Sequence, residues 1–130
     1  MKKSVFIVDD DEMFSGLLEA HLSGNKLLQV NKFSTGEQAL NELTNDLFAV
    51  ILDYNLDTVD KNAANGLDIL KEIKKTFPDI HAIMLSAQTR YGVAANSIKE
   101  GAEQYVMKDE AAFEKINEIL NAIIKENRRK

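Results

Sequence analysis

Apolar runs too short to be helices recur five times along this chain, and each is followed by a stretch of helical periodicity. The runs are Ser4 to Val8, Leu27 to Phe33, Phe48 to Leu52, Ala82 to Leu85 and Gln104 to Met107. Most are rich in β-branched and aromatic residues and do not alternate with polar ones, so they read as strands covered on both faces. Five strand-helix pairs predict an α/β fold, a doubly wound five-stranded parallel sheet flanked by five helices. At 130 residues the chain buries enough surface for one core without a metal or disulfide staple. Residues 1–126 form one expected domain, and 127–130 a basic tail or the start of a linker.

The helical segments carry their own start and stop signals. The first places Phe14, Leu17, Leu18 and Leu22 on one face. The second opens on Ser34-Thr35-Gly36-Glu37, a capping-box pattern. Asn65 caps a third, with Leu67, Leu70, Ile73 and Phe77 inward, and Pro78 ends it. A fourth carries Tyr91, Ala94, Ala95 and Ile98 and ends at Gly101. The fifth runs from Glu110 to Glu126, with Phe113, Ile116, Ile119, Leu120, Ile123 and Ile124 forming a stripe that serves as core first and as a contact surface second. Between the third strand and its helix, Leu56 to Asn65 is polar and long for a connection that usually takes about two to six residues.

Two of the runs end in acid: Val5-Phe6-Ile7-Val8 meets Asp9-Asp10-Asp11, and Ala49-Val50-Ile51-Leu52 meets Asp53. In open α/β sheets ligands bind beyond the carboxyl ends of the strands, so these carboxylates converge. Two of them about 4 Å apart repel by roughly 4 kcal/mol at an effective dielectric near 20, and such a cluster needs a cation or a proton. Asp11 also reads as a helix cap. Ser86 follows the fourth strand and Lys108 the fifth; alone, the first is a loop starter and the second a solvated lysine.

Composition removes other chemistries. The absence of cysteine excludes disulfides, thiolate zinc sites and cysteine nucleophiles. His21 and His81 stand apart at no ligand spacing. A net charge of −5 argues against direct nucleic-acid binding, and Lys125 with Arg128-Arg129-Lys130 is too short a basic run to reverse it. The opening Met1-Lys2-Lys3 leads straight into a strand, too short an apolar run for a signal peptide or a membrane span, so a cytoplasmic setting is expected.

Phe6-Ile7-Val8-Asp9-Asp10, Val50-Ile51-Leu52-Asp53-Tyr54-Asn55-Leu56, Ile83-Met84-Leu85-Ser86-Ala87 and Gly101-Ala102-Glu103-Gln104-Tyr105-Val106-Met107-Lys108 together resemble the receiver domain of bacterial two-component response regulators, over the whole chain. The resemblance implies a flavodoxin-like sheet of strand order 2-1-3-4-5 and a phosphorylation-dependent switch. It makes Asp53 the phosphoacceptor, and gives Mg²⁺ the side chains of Asp10 and Asp53 with the backbone carbonyl of Asn55, supported by Asp9. Lys108 offsets phosphoryl charge, Ser86 donates its hydroxyl to a phosphoryl oxygen, and Tyr105 is the aromatic switch residue. The implied donor is a sensor histidine kinase or histidine phosphotransfer protein. The output is an effector domain or downstream protein reached through the face of helix four, strand five and helix five, which also serves a homodimer. Such a domain catalyses only its own phosphorylation and dephosphorylation.

Phosphoryl transfer needs these residue types on physical grounds, because an anionic nucleophile must meet an anionic group. Two positions depart from the pattern. Asp57 stands where the family commonly has proline, in a loop lengthened before Gly66 that also carries Asp60, and Asp109 follows Lys108 where the family usually has a cis-proline. A cis bond before a non-proline residue costs about 3 kcal/mol, so a trans Lys108–Asp109 bond is expected, with Asp109 free to cap the last helix. Asp57 and Asp60 are expected to alter cation attraction or phosphodonor approach. Two rival readings are an interaction module that no longer accepts phosphate and a Mg²⁺ phosphatase with an aspartate nucleophile. The second wants an acid two residues after Asp53, where Asn55 stands, and a cap domain.

Overall fold

The computed structural model describes residues 2–56, 64–87 and 91–128, apart from the side chain of Tyr91. The expectations for Asp57 and Asp60, for the Tyr91 side chain and for Arg129 and Lys130 fall outside the described residues. The elements run β1 (Lys3–Val8), α1 (Glu12–Ser23), β2 (Leu28–Phe33), α2 (Gly36–Asn41), β3 (Leu47–Asp53), α3 (Gly66–Thr76), β4 (His81–Ser86), α4 (Tyr91–Lys99), β5 (Gln104–Met107) and α5 (Ala112–Arg128). All five strands are parallel, in the order β2-β1-β3-β4-β5. The expected fold class and strand order are both present.

Strand periodicity explains the uninterrupted apolar runs. Alternate side chains point to opposite faces, and both faces are covered. Val5, Ile7, Ile51, Ile83 and Leu85 meet Leu18 and Leu22 of α1 and Ile116, Leu120 and Ile124 of α5. Phe6, Val8, Val50, Leu52 and Met84 meet Ala39 of α2 and Ile69, Leu70 and Ile73 of α3. The α5 stripe is therefore largely core, with Phe113 and Ile119 packed at its margin.

Three local expectations need correction. Leu17 is 56% exposed, because the buried stripe of α1 passes through Ser15, Leu18 and Leu22, and Leu17 lies off that line. Ile98 and Ala95 of α4 also face outward, and among the helix's described side chains the wholly buried one is Ser97. Its hydroxyl donates to the carbonyl of Val93 at 2.9 Å, so the helix satisfies that polarity internally and a serine can occupy an apolar place. In α2 the cap lies one residue along: Thr35 accepts from the Gln38 N–H at 3.2 Å, and Gln38 Oε1 accepts from the Ser34 N–H. Glu37, released from capping, accepts from the N–H of Ala64 at 3.0 Å. Asn65 caps α3 as expected, accepting from the Asp68 N–H at 3.0 Å.

Candidate functional site

Strand order brings the acids together. β1 and β3 are neighbours, and Val8 pairs with Leu52, so Asp9 and Asp53 emerge side by side. Both are almost wholly buried, at 1% and 3% exposure, while Asp10 is half-buried beside them. One carboxylate oxygen from each of Asp9, Asp10 and Asp53 lies within 4.8 Å of the others. That is an all-oxygen donor set, the kind that suits a hard divalent cation. Three carboxylates against the one ammonium described below leave two negative charges when all are ionised, which a divalent cation matches.

Lys108 follows β5, two strands from β3, and its long side chain reaches back over the end of β4. Its Nζ stands 2.8 Å from Asp9 Oδ2 and 3.2 Å from Asp53 Oδ2. The Lys108 N–H donates to the carbonyl of Ser86 at 2.8 Å, anchoring the start of that reach. The bond from Lys108 to Asp109 is trans. Asp109 accepts from the N–H of Ala111 at 2.9 Å, so it organises the entry to α5. Asp11 caps α1 by accepting from the Phe14 N–H, and its own N–H donates to Asp9 Oδ1 at 2.9 Å.

Burial first, then the charge of Asp9 and a hydrogen bond with it, push the Asp53 carboxyl from its ordinary 3.8 up to about 7. Lys108 and the Asn55 N–H, which donates to Asp53 Oδ1 at 3.2 Å, oppose that rise. For Lys108, burial disfavours the ammonium, but the hydrogen bond to Asp9 and the charges of Asp53 and Asp9 overcome it and hold its pKa above the ordinary lysine value. Asp9 Oδ2 is enclosed and accepts no well-aligned hydrogen bond, so the nearby ammonium engages it by charge alone.

The remaining expected residues fall around this centre. Ser86 ends β4 at 2% exposure, one strand beyond Asp53. Tyr105 lies on β5 opposite Met84, half-buried against the core of the second sheet face. His21 and His81 lie away from the acids. His81 pairs with Glu103, a contact across 22 residues that local spacing does not reveal.

Two further residues adjoin the centre, one marked by a motif and one not. Gly66 opens α3 against the end of β3, where a Cβ would sit 2.2 Å from the Asp53 carbonyl oxygen. The resemblance already marks it as the glycine that usually opens the third helix. Phe14 belongs to the apolar stripe of α1, yet its ring lies beneath the Lys108 ammonium.

The sequence model of the response regulator receiver domain matches residues 5–122. Response regulator SaeR of Staphylococcus aureus is 29% identical over 119 residues, spanning 92% of this chain and 50% of that protein. The chain thus spans about half the length of the curated relatives it matches. Among solved structures, response regulator DrrB of Thermotoga maritima aligns with a TM-score of 0.82 at 25% identity, over 98% of this chain and 54% of that one. The BeF3-activated DrrB receiver domain aligns over 100% of both chains, with a TM-score of 0.78 and 28% identity. A CheY-like receiver domain protein from Methanospirillum hungatei shares the fold, with a TM-score of 0.83 at 20% identity over 100% of both chains.

Proposed function

The chain belongs to the response regulator receiver domain family, whose members are phosphorylation-dependent signalling domains rather than conventional enzymes, and on that footing we propose that Asp53 is its phosphoacceptor. The observation that carries this reading is the Lys108 ammonium, 3.2 Å from Asp53 and 2.8 Å from Asp9, drawn from a third strand to a buried acid pair. A buried ammonium so placed suits a site where negative charge arrives.

In the proposed reaction an Asp53 carboxylate oxygen attacks phosphorus. An O–P bond forms as the donor's P–N or P–O bond breaks, and the leaving group keeps that bond's electron pair. Lys108 offsets the charge on the phosphoryl oxygens, and Ser86 donates its hydroxyl to one of them. Asp10, Asp53 and the Asn55 carbonyl would hold Mg²⁺, with Asp9 supporting it. The bound cation supplies charge neutralisation between the anionic nucleophile and the anionic donor. Water then attacks the phosphorus, a new O–P bond forming as the Asp53 O–P bond breaks, so inorganic phosphate leaves, Asp53 returns to its carboxylate, and the chain catalyses only its own gain and loss of phosphate.

The donor is a histidine kinase or histidine phosphotransfer protein. Ser86 and Tyr105 link the phosphoryl group to the face of α4, β5 and α5, which reaches an effector or a second copy of the chain. The DrrB receiver domain is described in a BeF3-activated form, which supports a comparable anion-responsive state here. A cytoplasmic setting suits such a partner, and no helix among the described residues is long and apolar enough to cross a membrane.

Acetyl phosphate with Mg²⁺ tests the proposal directly. Intact-mass measurement is expected to show one added phosphoryl group on the wild-type chain and none on Asp53→Asn. An equal gain in both, or none in the wild type, would overturn it.

A further inference from the structure

Two carboxylates neutralise the Lys108 charge, but they do not by themselves fix where a flexible four-carbon side chain sets its ammonium. A ring completes the enclosure. Lys108 Nζ lies 4.9 Å from the centroid of Phe14, and Phe14 stacks on Phe113 at 5.1 Å with 26° between the ring planes. Phe14 stands in the first turns of α1 and Phe113 opens α5, so the stack ties two helices together under the lysine. The Lys108 side chain is only 10% exposed, and attraction between a cation and a ring face is strongest where water is excluded.

The main chain makes this support more consequential. A trans peptide follows Lys108, and the Asp109 N–H turns back to the carbonyl of Met107 at 2.9 Å. The backbone therefore fixes the root of the side chain, while its tip lies several bonds away. Building on the phosphoacceptor reading, we propose that Phe14, braced by Phe113, is a positioning residue that holds the Lys108 ammonium at the Asp9 and Asp53 carboxylates. Phe14 acts through Lys108 and does not itself touch the phosphoryl group.

The test uses the full chain and three variants. Phe14→Leu keeps an apolar side chain without a ring, Phe14→Tyr keeps the ring, and Phe113→Leu removes the brace alone. NMR of the Lys108 ε-methylene protons reads position directly. Ring-current upfield shifts are expected in the wild type and Phe14→Tyr, lost in Phe14→Leu and reduced in Phe113→Leu. Phosphorylation by acetyl phosphate with Mg²⁺ should then slow about five- to tenfold in maximal rate in Phe14→Leu, with its half-saturating donor concentration little changed, and be rescued by Phe14→Tyr. Unshifted Lys108 protons in the wild type, or equal rates in wild type and Phe14→Leu, would overturn the proposal. So would equal slowing in Phe14→Tyr, which would mark a packing effect. Should Phe14→Leu not fold, Phe113→Leu decides by the same two readouts. If the wild type accepts no phosphoryl group, the phosphoacceptor reading fails, while the proton shifts still decide whether Phe14 positions Lys108.

Discussion

The two edges of one sheet treat charge in opposite ways. At the carboxyl edge, Asp9 and Asp53 are buried against each other, and one ammonium serves both. At the amino edge, Lys74 of α3 donates to the carbonyls of Pro78 and Ile80 at 3.2 and 2.6 Å, and His81 pairs with Glu103 near the surface. The amino edge meets these polar needs with backbone carbonyls and a side-chain pair. The carboxyl edge leaves one of them unmet, at Asp9 Oδ2, which suits the proposed arrival of a charged group. Perturbing the first edge should therefore change activity and the pH dependence of stability, and perturbing the second should change stability alone.

The largest effect is expected from Gly66→Ala. A Cβ there would meet the Asp53 carbonyl oxygen at 2.2 Å and the Tyr54 Cα at 2.8 Å, and backbone cannot step aside cheaply. The Gly66 N–H also donates to the Tyr54 carbonyl at 2.9 Å, so α3 and the end of β3 must shift together. A misplacement of about 1 Å at a reacting group can cost on the order of a hundredfold in rate. Phosphorylation by acetyl phosphate should fall by about that factor in the folded variant, as measured by mass against time. A rate within a few-fold of wild type would show that the acid cluster does not depend on this contact.

The next effect is a pH dependence confined to the carboxyl edge. The Asp53 carboxyl titrates in the folded chain near 7, above the 3.8 it would have in an unfolded one, chiefly because it is buried and then because Asp9 faces it. The folded state thus binds more protons across that window, so stability present below it is lost as pH rises from about 4 to 7. Asp53→Asn removes this titration. In chelator-treated buffer, the variant should gain on the wild type between pH 5 and 8, by on the order of 3 kcal/mol in urea unfolding. Added Mg²⁺ should shrink the gap by binding the ionised wild-type cluster. Parallel stability profiles for the two chains would break the contrast between the edges.

The fold was legible because five apolar runs need cover on both faces, and few architectures provide it. The convergence of the acids with Lys108 was legible because strand ends carry these residues in an order that a parallel sheet gathers at one edge. Contacts between elements that share no spacing were not. Phe14 satisfies the apolar period of α1 whether or not a lysine lies over it, and nothing in that period distinguishes the two cases. Leu17 and Ile98 fit their helical stripes and still face outward, since a stripe read from one helix does not say how far its neighbours extend. Ser97 shows the converse: a hydroxyl bonded to its own helix can take a buried place that polarity argues against.

The smallest effects are expected at the amino edge. Burial lowers the Lys74 pKa despite the opposing charges of Glu103 and Asp79, and its ammonium is matched to the Pro78 and Ile80 carbonyls. Lys74→Met would leave the Ile80 carbonyl short of a partner and cost about 1–2 kcal/mol in urea unfolding, with the phosphorylation rate unchanged. Glu103→Gln weakens a partly exposed pair with His81 and removes a charge that acts on Lys74, and should cost under about 1 kcal/mol. Through His81, Glu103→Gln probes the far end of an element that leads to the site, because β4 runs from His81 to Ser86. If Glu103→Gln slowed phosphorylation more than it lowered stability, β4 would be carrying a change at its amino end to the hydroxyl at its carboxyl end. The two edges would then be one coupled system, and the division of labour between them would have to be abandoned.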